Sequence, residues 1–458
     1  MKKLLFLTNL LLIVYSYGQN TATPSPSGSI VSGASHVARV SYDNINMSDY
    51  AVSYTGNTND RGFLWSDQSL NGRYFSIADT NIHVNDLTIL DDMVYFCGYN
   101  TDGEAVVGRF KVQDLQMNTI TLYYSTISSF NNINNNNNNN RPITSFTKIK
   151  AYYDDILHEF VLALVAKNQN IQDQTSNNSF LCVITDDGTS FDYHFFEPTN
   201  ISPCLPYHCI EDVVITKKYI VAVGGNYIAE GEGRLYRVKK ADVQAGNYNC
   251  VEYIITDPDE HTFTSTAVVE CLKDDEIAFA CLRNYWGNNN TDMRVYTLDV
   301  DAMQFLNVQD VPLVAKCSPK ELLYMPCDGS LLMLIWDGYY QDEYTPASLV
   351  YYLKPYSFGY TADYIYETDE AIRSIDRFAD LTRFLMGGND GSGLAKYWMR
   401  NKLAGAFSGC IKYDQVYVRQ ADMPDLITLT PANGENNMIL YPIKFTPVDV
   451  NFNPGCVE

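Results

Sequence analysis

The sequence predicts an all-β protein folded as a β-propeller of six to eight blades, with seven as the most economical number. Three observations favour this fold class. A unit of short runs rich in Val, Ile, Tyr and Phe returns along the chain every roughly 50–63 residues, close to the ~40–50 of known propeller blades. Turn-forming dipeptides separate the runs, which indicates antiparallel hairpins. Long helical periodicity is absent, so the repeats are sheets and not helix pairs.

The repeat is clearest in three copies, at residues 84–98, 210–224 and 374–388. Each copy has an inner run, a polar turn and a second run that ends in glycine. An aspartate and a glycine stand at the same spacing in all three copies, as Asp86 and Gly98, Asp212 and Gly224, and Asp376 and Gly388. Because repeats conserve structure before chemistry, we interpret this Asp as part of a turn or of a blade-to-blade hydrogen bond.

Two further patterns support hairpin-linked sheets. Asp-Gly and Asn-Gly dipeptides tolerate positive φ, so they predict tight turns. They stand at residues 102–103, 187–188, 328–329, 337–338, 390–391, 71–72 and 433–434. The continuously apolar run at 220–223 predicts a strand that is buried on both faces.

Weaker copies of the unit fill the gaps between residues 81 and 402. Strand-like runs remain at both ends of the chain, at 36–40, 50–54 and 63–65, and at 410–418, 426–429 and 438–445. We expect these runs to form a composite closing blade from the two termini, because closure removes open sheet edges. All blades are expected to be four-stranded and antiparallel. Two incomplete blades, a six-bladed ring with added strands, or two β-sandwich domains are the alternatives, although sandwiches do not predict the recurring Asp-to-Gly spacing.

The N-terminus has the pattern of a secretory signal peptide. Lys2 and Lys3 precede an apolar stretch at residues 4–15, and residues 16–18 supply small side chains for cleavage near Gly18. The stretch is shorter than the ~20 residues of a transmembrane helix. We therefore expect a signal peptide at 1–18, a flexible linker at 19–35 and a single propeller domain at 36–458. The mature chain would be exported, to the periplasm, the cell surface or the medium, without a transmembrane segment.

The charge of the chain excludes one class of partner. The formal net charge is −22, and about −24 once Lys2 and Lys3 are removed with the signal peptide. Nucleic-acid binding depends on Lys and Arg neutralising phosphates, so we predict no nucleic-acid partner. Anionic membrane surfaces are disfavoured for the same reason.

The chain contains 11 cysteines, an odd number that leaves at least one outside an intrachain disulfide. Three of them, Cys97, Cys182 and Cys281, stand inside apolar runs and are predicted to be small buried hydrophobic residues. In an exported protein the others are candidates for pairing. The candidate pairs are Cys204 with Cys209 and Cys410 with Cys456.

A search for catalytic, metal-binding or nucleotide-binding motifs finds none, so we predict no catalytic residue, no metal and no cofactor. His158-Glu159 begins like a zinc-protease motif, but Leu162 stands where the second His belongs. The acidic run at 257–260 lacks the ligand spacing and the glycine of a calcium loop.

The most informative functional feature is geometric. When the first strand of each blade is innermost, the loops between the second and third strands of all blades open on one face. Here these loops are predicted at 99–104, 226–232, 284–292, 337–345 and 389–392, and the Asn-rich run at 131–140 is predicted on the same face. Aromatic rings beside carboxylates suit glycans and protein interfaces. The predicted ligand-binding residues are Tyr99, Tyr227, Tyr285, Trp286, Tyr339, Tyr340 and Tyr344.

These repeats resemble those of secreted β-propellers in general, without WD40, kelch or sialidase signatures. The Lys-Lys signal followed by Gln19, and the Cys- and Tyr-rich composition, also resemble uncharacterised exported proteins of Bacteroidetes-type bacteria, a resemblance that implies no functional residue. Two functions stay open. One is a non-catalytic protein that binds a protein or glycan ligand on the loop face. The other is a glycan-active enzyme, a hydrolase or lyase, with acidic residues at the central channel.

Overall fold

The fold is a ring of seven antiparallel sheets. The structure is a computed structural model, and the residues that it describes are 27–29, 34–42, 49–56, 61–67, 71–111, 113–114, 119–132, 140–168, 178–197, 208–226, 233–256, 262–284, 291–312, 318–336, 348–356, 361–367, 371–377, 383–389, 395–401, 411–417, 419–420, 423–445, 448–451 and 453–454. Each sheet is one blade, and its first four strands, named A to D, run from the axis outward. The predicted β-propeller with seven four-stranded blades is confirmed.

The described chain begins with a short strand, β1 (Ser27–Ser29), and then builds the first three blades in sequence order. Blade 1 contains β2 (Ala34–Tyr42), β3 (Asp49–Gly56), β4 (Arg61–Asp67) and β5 (Asn71–Ser76). Blade 2 contains β6 (Ile82–Leu90), β7 (Met93–Asn100), β8 (Ala105–Lys111) and β9 (Ile120–Ile127). A hairpin of β10 (Ser129–Asn132) and β11 (Asn140–Pro142) leads to blade 3, which contains β12 (Ser145–Asp154), β13 (Glu159–Asn168), β14 (Asn178–Asp186) and β15 (Ser190–Glu197).

The next three blades repeat the same up-and-down order. Blade 4 contains β16 (His208–Ile215), β17 (Tyr219–Asn226), β18 (Gly233–Lys239) and β19 (Cys250–Thr256). Blade 5 contains β20 (Thr262–Lys273), β21 (Glu276–Asn284), β22 (Thr291–Asp299) and β23 (Gln304–Pro312). Blade 6 contains β24 (Ser318–Met325), β25 (Ser330–Trp336), β26 (Ser348–Leu353) and β27 (Thr361–Glu367). Two short helices lie outside the sheets, a 3-10 turn at Ala78–Thr80 and α1 (Lys240–Gln244).

Blade 7 is the composite one. It contains β28 (Ala371–Arg377), β29 (Arg383–Asn389) and β30 (Ala395–Asn401), and its fourth strand is β1 from the other end of the chain. The composite blade therefore differs in its strands from the one expected, because the N-terminal runs at 36–40, 50–54 and 63–65 belong to the separate blade 1. The predicted linker at 19–35 also contains β1, whose Gly28 pairs with Tyr397.

Contacts between the inner strands show that the ring is closed. Strand A of each blade contacts strand A of the next, through β2, β6, β12, β16, β20, β24 and β28, and β28 contacts β2. No described helix is long and apolar enough to cross a membrane.

The C-terminal strands run around the outside of the ring. We call residues 411–454 the C-terminal belt. It contains β31 (Ile411–Tyr417), β32 (Arg419–Gln420), β33 (Asp425–Leu429), β34 (Ala432–Ile439), β35 (Tyr441–Phe445), β36 (Val448–Asn451) and β37 (Asn453–Pro454). These strands add in turn, as the outer antiparallel neighbour of strand D, to blades 6, 5, 4, 3, 2, 1 and 7. Every blade thereby gains a fifth strand from one continuous segment.

Apolar side chains of the belt join it to the blades that it covers. Leu426 packs against the core between blades 4 and 5, Leu440 against the core between blades 2 and 3, and Phe445 against the core between blades 1 and 2. An outer strand D would otherwise present unpaired N–H and C=O groups along its length. The belt covers these edges over much of the circumference.

The hydrophobic cores lie between neighbouring blades, which explains the continuously apolar strands. In β17, Ile220 and Ala222 pack into the core shared with blade 3, while Val221 and Val223 pack into the core shared with blade 5. Successive side chains of a strand point to opposite faces of the sheet. A blade enclosed by two neighbours therefore needs apolar residues at both odd and even positions of the strand. The predicted burial of Cys97, Cys182 and Cys281 is confirmed. The side chains of Cys204, Cys209, Cys410 and Cys456 lie outside the described residues.

The Asp-Gly turn predictions are confirmed where the structure describes them. Gly103, Gly188 and Gly329 have φ of +80°, +92° and +68°, the left-handed region that favours glycine. The two Asn-Gly predictions are wrong. Asn71 begins β5, and Asn433-Gly434 lies inside β34, where Gly434 pairs with Phe195 of blade 3.

A bulge interrupts strand A in most blades, and the repeated aspartate follows it. The register shifts between Val84 and Asp86 in blade 2, between Ile210 and Asp212 in blade 4, and between Pro319 and Glu321 in blade 6. Gly98 lies opposite the blade 2 bulge, and a β-carbon there would overlap the carbonyl oxygen of His83. The glycine of blade 2 is therefore required by the close approach of the bulged strand.

The prediction of a blade-to-blade hydrogen bond is confirmed for two of the three repeated aspartates. Asp86 accepts hydrogen bonds from the backbone N–H of Leu87 and, in blade 3, of Ile149, both at 2.9 Å. Asp212 accepts from Val213 and, in blade 5, from Val269, also at 2.9 Å. In blade 6 the same role falls to Glu321, which accepts from Ile375 N–H at 2.7 Å.

Asp376 does not occupy the equivalent position. In blade 7 the bulge shifts the register between Ile372 and Ser374, so Ser374 is the counterpart of Asp86. Asp376 lies two residues further along β28 and pairs with Leu385. Asp376 and Gly388 have the same sequence separation as the other Asp–Gly pairs only because the hairpin between β28 and β29 is longer than the hairpins of blades 2 and 4. Sequence spacing alone does not reveal this coincidence.

Candidate functional site

The loops between strands B and C leave the ring on one face. The strand ends place them at 57–60, 101–104, 169–177, 227–232, 285–290, 337–347 and 390–394. The connections from strand D of one blade to strand A of the next open on the same side, since successive strands are antiparallel. The B–C loop of blade 2 is hydrogen-bonded to the connection from blade 1, because Thr101 N–H donates to the carbonyl oxygen of Asn81 at 3.1 Å. We call this side of the molecule the B–C face and the opposite side the A–B face.

Of the predicted ligand-binding residues, the structure describes Tyr99. It is the last but one residue of β7, near the B–C face, is 36% exposed, and stacks on the imidazole of His83 with ring centroids 4.6 Å apart. Tyr227, Tyr285, Trp286, Tyr339, Tyr340 and Tyr344 lie outside the described residues, so their part in a site stays a prediction. The strands that flank them do place all five predicted loops between strands B and C, as expected.

The described B–C loop of blade 2 is held by a local hydrogen-bond network. The side-chain oxygen of Asn100 accepts from the N–H groups of Asp102 and Glu104, and its amide nitrogen donates to the Glu104 carboxylate at 2.8 Å. Because one asparagine closes both ends of the turn, Tyr99 stands on a rigid support.

The bulges of strand A bring polar side chains towards the axis. Asn85, the extra residue of the blade 2 bulge, donates to the carbonyl oxygen of Phe146 on the inner strand of blade 3 at 2.7 Å. Glu211 and Lys320 are the corresponding residues of blades 4 and 6. A bulge re-aims a side chain that would otherwise point into the interface between blades.

One contact crosses the central channel. The ammonium group of Lys148 in blade 3 lies 3.5 Å from the carbonyl oxygen of Lys320 in blade 6. Blades 3 and 6 are not neighbours in the ring, because blades 4 and 5 separate them on one side and blades 7, 1 and 2 on the other. The Lys148 side chain therefore extends across the axis.

Two more charged groups join these lysines. Lys167, near the end of β13, pairs with the Glu211 carboxylate at 2.7 Å, and both side chains are 19% exposed. Burial lowers the pKa of Lys320 below the usual lysine value, Lys148 lowers it further, Glu211 raises it and Lys167 lowers it. We call Lys148, Lys167, Glu211 and Lys320 the channel cluster. It contains three ammonium groups and one carboxylate.

The channel cluster lies at the B–C end of the channel. Lys148 and Lys320 stand near the starts of β12 and β24, where the chain enters from the B–C face. Lys167 stands near the end of β13, immediately before a B–C loop. The cluster and the aromatic loops are therefore on the same side of the molecule.

Three of the described inner-strand carboxylates hold neighbouring blades together. Asp86, Asp212 and Glu321 are each at least nine-tenths buried, and each accepts a backbone N–H from the next blade. Glu211 pairs with Lys167. The described residues also contain no group of three or more His, Cys, Asp or Glu arranged to hold a metal ion.

Charged pairs on the A–B face connect blades. Asp275 of blade 5 accepts from the Thr216 hydroxyl and the Lys218 N–H of blade 4, at 2.9 and 2.7 Å. Lys217 and Lys218 reach Asp274 and Asp301 in blade 5. These lysines therefore form ion pairs at the interface between blades 4 and 5.

Sequence reasoning missed the channel cluster. Its members are separated by up to 172 positions, and none belongs to a recognised motif. One signal was present: Lys320 stands at the same place in its blade as Asn85 and Glu211, one residue before the repeated acidic residue. That place is directed towards the axis only in the closed ring.

The chain was compared with protein-family models, curated proteins and solved structures. Neither a protein-family model nor a curated protein sequence matches the chain. Among solved structures, the chain is similar to one in the crystal structure of the mitotic checkpoint complex, with 9% identity and a TM-score of 0.39, over 82% of this chain and 95% of that chain. It is also similar to the Dos1 propeller, with 9% identity and a TM-score of 0.37, over 84% and 96%.

Proposed function

We propose that this protein is an exported, non-catalytic binding protein that holds a protein or glycan ligand on the B–C face. One observation carries the proposal: all seven B–C loops leave the same rim of a closed ring. On this proposal, aromatic residues from loops that are far apart in sequence share one binding surface. Ligand sites tend to gather several such groups in one concavity.

The composition of that surface supports binding through rings and polar groups. Tyr99 stands half-exposed on a fixed turn, with Glu104 beside it. The sequence places Tyr285, Trp286, Tyr339 and Tyr340 in two further loops of the same face. Tyrosine and tryptophan are enriched among residues that dominate interface energies.

The experiment is a binding screen with face-specific variants. The purified protein is applied to glycan and protein arrays, together with a variant in which Tyr285, Trp286, Tyr339 and Tyr340 are replaced by Ala. We expect the wild type to bind and the variant to lose at least tenfold in affinity. The matched control is Ile156→Ala, which trims a 70% exposed apolar side chain on the A–B face and leaves binding unchanged. Equal binding by the four-residue variant and the wild type would remove the proposal.

Export is the second part of the proposal, supported by the charge and hydropathy pattern of residues 1–18. N-terminal sequencing of the protein recovered from its native host is expected to begin at Gln19. A mature chain that retains Met1 would contradict export by this route.

A further inference from the structure

We propose that the hairpin of β10 and β11 is a clasp that holds β34 of the C-terminal belt on blade 3, so that the belt opens from its two ends and stays attached at this blade. We call residues 129–132 and 140–142 the clasp, β31–β33 the first arm of the belt and β35–β37 its second arm. The proposal gives the fold a conformational device and does not depend on the ligand of the B–C face.

Backbone pairing encloses β34 on both edges. All eight of its residues pair with β15 of blade 3. On the other edge, Gly434 pairs with Asn132 of the clasp. In the described part of the chain, each of the other belt strands stands at the end of its sheet and has a neighbouring strand on one side only. Because pairing on both edges has to break before β34 leaves the sheet, we expect it to open after the arms.

An aromatic contact connects the clasp to blade 3 across the belt strand. Phe130 of β10 is 2% exposed, and its ring stacks on Phe195 of β15 with centroids 4.5 Å apart and planes at 7°. It also meets Phe180 of β14 edge to face, with centroids 5.1 Å apart. Gly434 pairs with Phe195 on one side and with Asn132 on the other, and residues directly opposite each other point to the same face of a sheet. A side chain at position 434 would therefore stand between the two stacked rings, and glycine leaves that space to Phe130.

An ion pair also spans the belt strand. The guanidinium group of Arg141 in β11 binds the carboxylate of Glu197, the last residue of β15, through two nitrogens at 2.7 and 3.1 Å. In the sheet, β10 and β34 lie between β11 and β15. The two side chains are 28% and 12% exposed, and a bidentate arginine–carboxylate pair that is partly removed from water is stronger than a single exposed contact. At the base of the hairpin, Ile143 N–H donates to the carbonyl oxygen of Ser128 at 2.8 Å.

The arms are attached more simply. Each arm strand pairs with the outermost strand of one blade, and Leu426 and Phe445 add apolar contacts to the cores between blades. The described arm strands have no second strand on their outer edge. Opening of the belt therefore starts in the arms and exposes the edges of the blades beneath them, while β15 stays covered.

The experiment measures hydrogen exchange of the purified full-length mature protein by mass spectrometry under native conditions. In the wild type, we expect the amides of 432–439 to exchange about tenfold more slowly than those of the arm strands at 411–417, 425–429 and 448–451. Arg141→Gln removes the ion pair and is expected to speed exchange in 432–439 by about fivefold or more, without a change in β13. Gly434→Val puts a side chain between the rings of Phe130 and Phe195 and is expected to act in the same direction, although valine favours strands.

Arg419→Gln is the matched control, because Arg419 is an exposed residue of the belt strand β32 and the same charge is removed. It is expected to leave exchange in 432–439 at the wild-type rate. Equal exchange in β34 and the arms of the wild type, an unchanged rate in Arg141→Gln, or an equal acceleration in β13 would overturn the proposal. If Gly434→Val does not fold, the wild-type pattern and Arg141→Gln still decide. The binding arrays report on the B–C face separately, so a failure of the clasp leaves the proposed function standing.

Discussion

Inner-strand carboxylates act as connectors between blades. In Asp86 and Asp212, one carboxylate oxygen accepts a hydrogen bond from a backbone N–H of the same strand. The other oxygen accepts from a backbone N–H of the next blade. The bulge before them turns the backbone so that both N–H groups are in reach. A buried N–H that loses such an acceptor leaves an unsatisfied donor, which costs about 1–3 kcal/mol.

Replacing Asp212 by Ala is therefore expected to lower the free energy of unfolding by about 1–3 kcal/mol, because the N–H groups of Val213 and Val269 lose their acceptor. Urea unfolding followed by tryptophan fluorescence measures the loss. Asp155→Ala is the control, since Asp155 is exposed in the turn between β12 and β13. A loss as large at Asp155 as at Asp212 would contradict the assignment.

Two adjacent aspartates in blade 3 show how local surroundings set a pKa. Burial raises the pKa of Asp186, although Arg109 at 3.0 Å favours its charged form. Asp187 stands in an exposed turn, where the N–H groups of Thr189 and Ser190 donate to its carboxylate and lower its pKa to about 2.

Asp187 consequently makes stability depend on pH in the acid range. Its pKa in the folded protein is below the ~3.9 of an unfolded chain, so its contribution is present above about pH 4 and is lost as the pH falls towards 2. Wild type is expected to be more stable than Asp187→Asn at pH 6, with the difference shrinking by pH 2.5. Urea midpoints between pH 2.5 and 6 test this. The exposed Asp155→Asn, on the same face, is the control, and a difference that is independent of pH would contradict the prediction.

At the scale of elements, the C-terminal belt is the feature that distinguishes this propeller from a simple ring. In the sequence, its strands have the same pattern as ordinary blade strands. The runs at 426–429 and 438–445 are predicted from that pattern to belong to the closing blade. In the structure they pair with the outermost strand of successive blades. Backbone hydrogen bonds from a single segment thus reach all seven sheets.

Removal of residues 411–458 is expected to expose the strand D edges and cause self-association, because unpaired edges are templates for pairing with another chain. Size-exclusion chromatography with light scattering measures the association, and a thermal melt is expected to show a lower midpoint. Deletion of residues 455–458 alone, beyond the last belt strand, is the control and should change neither. A monomeric, equally stable truncated protein would show that the belt does not protect the edges.

At the scale of the whole molecule, the two chain ends meet in blade 7. β1 pairs with β30 on one side and with β37, the last belt strand, on the other. Completion of blade 7 and the last pairing of the belt therefore depend on the same three residues, Ser27–Ser29.

A mature chain that starts at residue 31 is expected to lose stability first in blade 7, because β30 becomes an edge and β37 loses its partner. Hydrogen exchange is expected to speed up in residues 395–401 while blades 3 and 4 keep their protection. A chain that starts at residue 26 keeps β1 and is the control. Uniform exchange across the ring in the shorter chain would contradict a local role for β1.

Charge is also distributed at the scale of the whole molecule. The chain carries −22, and at the channel Lys167 pairs with Glu211 of the next blade while the Lys148 ammonium reaches the Lys320 carbonyl oxygen of blade 6. Composition predicted the overall sign and the exclusion of nucleic acids. It could not predict these contacts, because they depend on which residues the ring brings together.

The sequence by itself determined the strand content, the blade repeat, the hairpin turns at 102–103, 187–188 and 328–329, and the structural role of Asp86 and Asp212. Each of these depends on neighbours close along the chain or on a pattern that every blade repeats. Only the tertiary structure decided that β1 completes blade 7, that the C-terminal strands form a belt, and that the Lys148 ammonium reaches the Lys320 carbonyl oxygen across the channel. Those contacts join residues that are distant in sequence. Strand propensity predicts that a segment forms a strand, but it does not predict which open sheet edge the strand pairs with. Ring closure selects the edge and sets which side chains reach the axis.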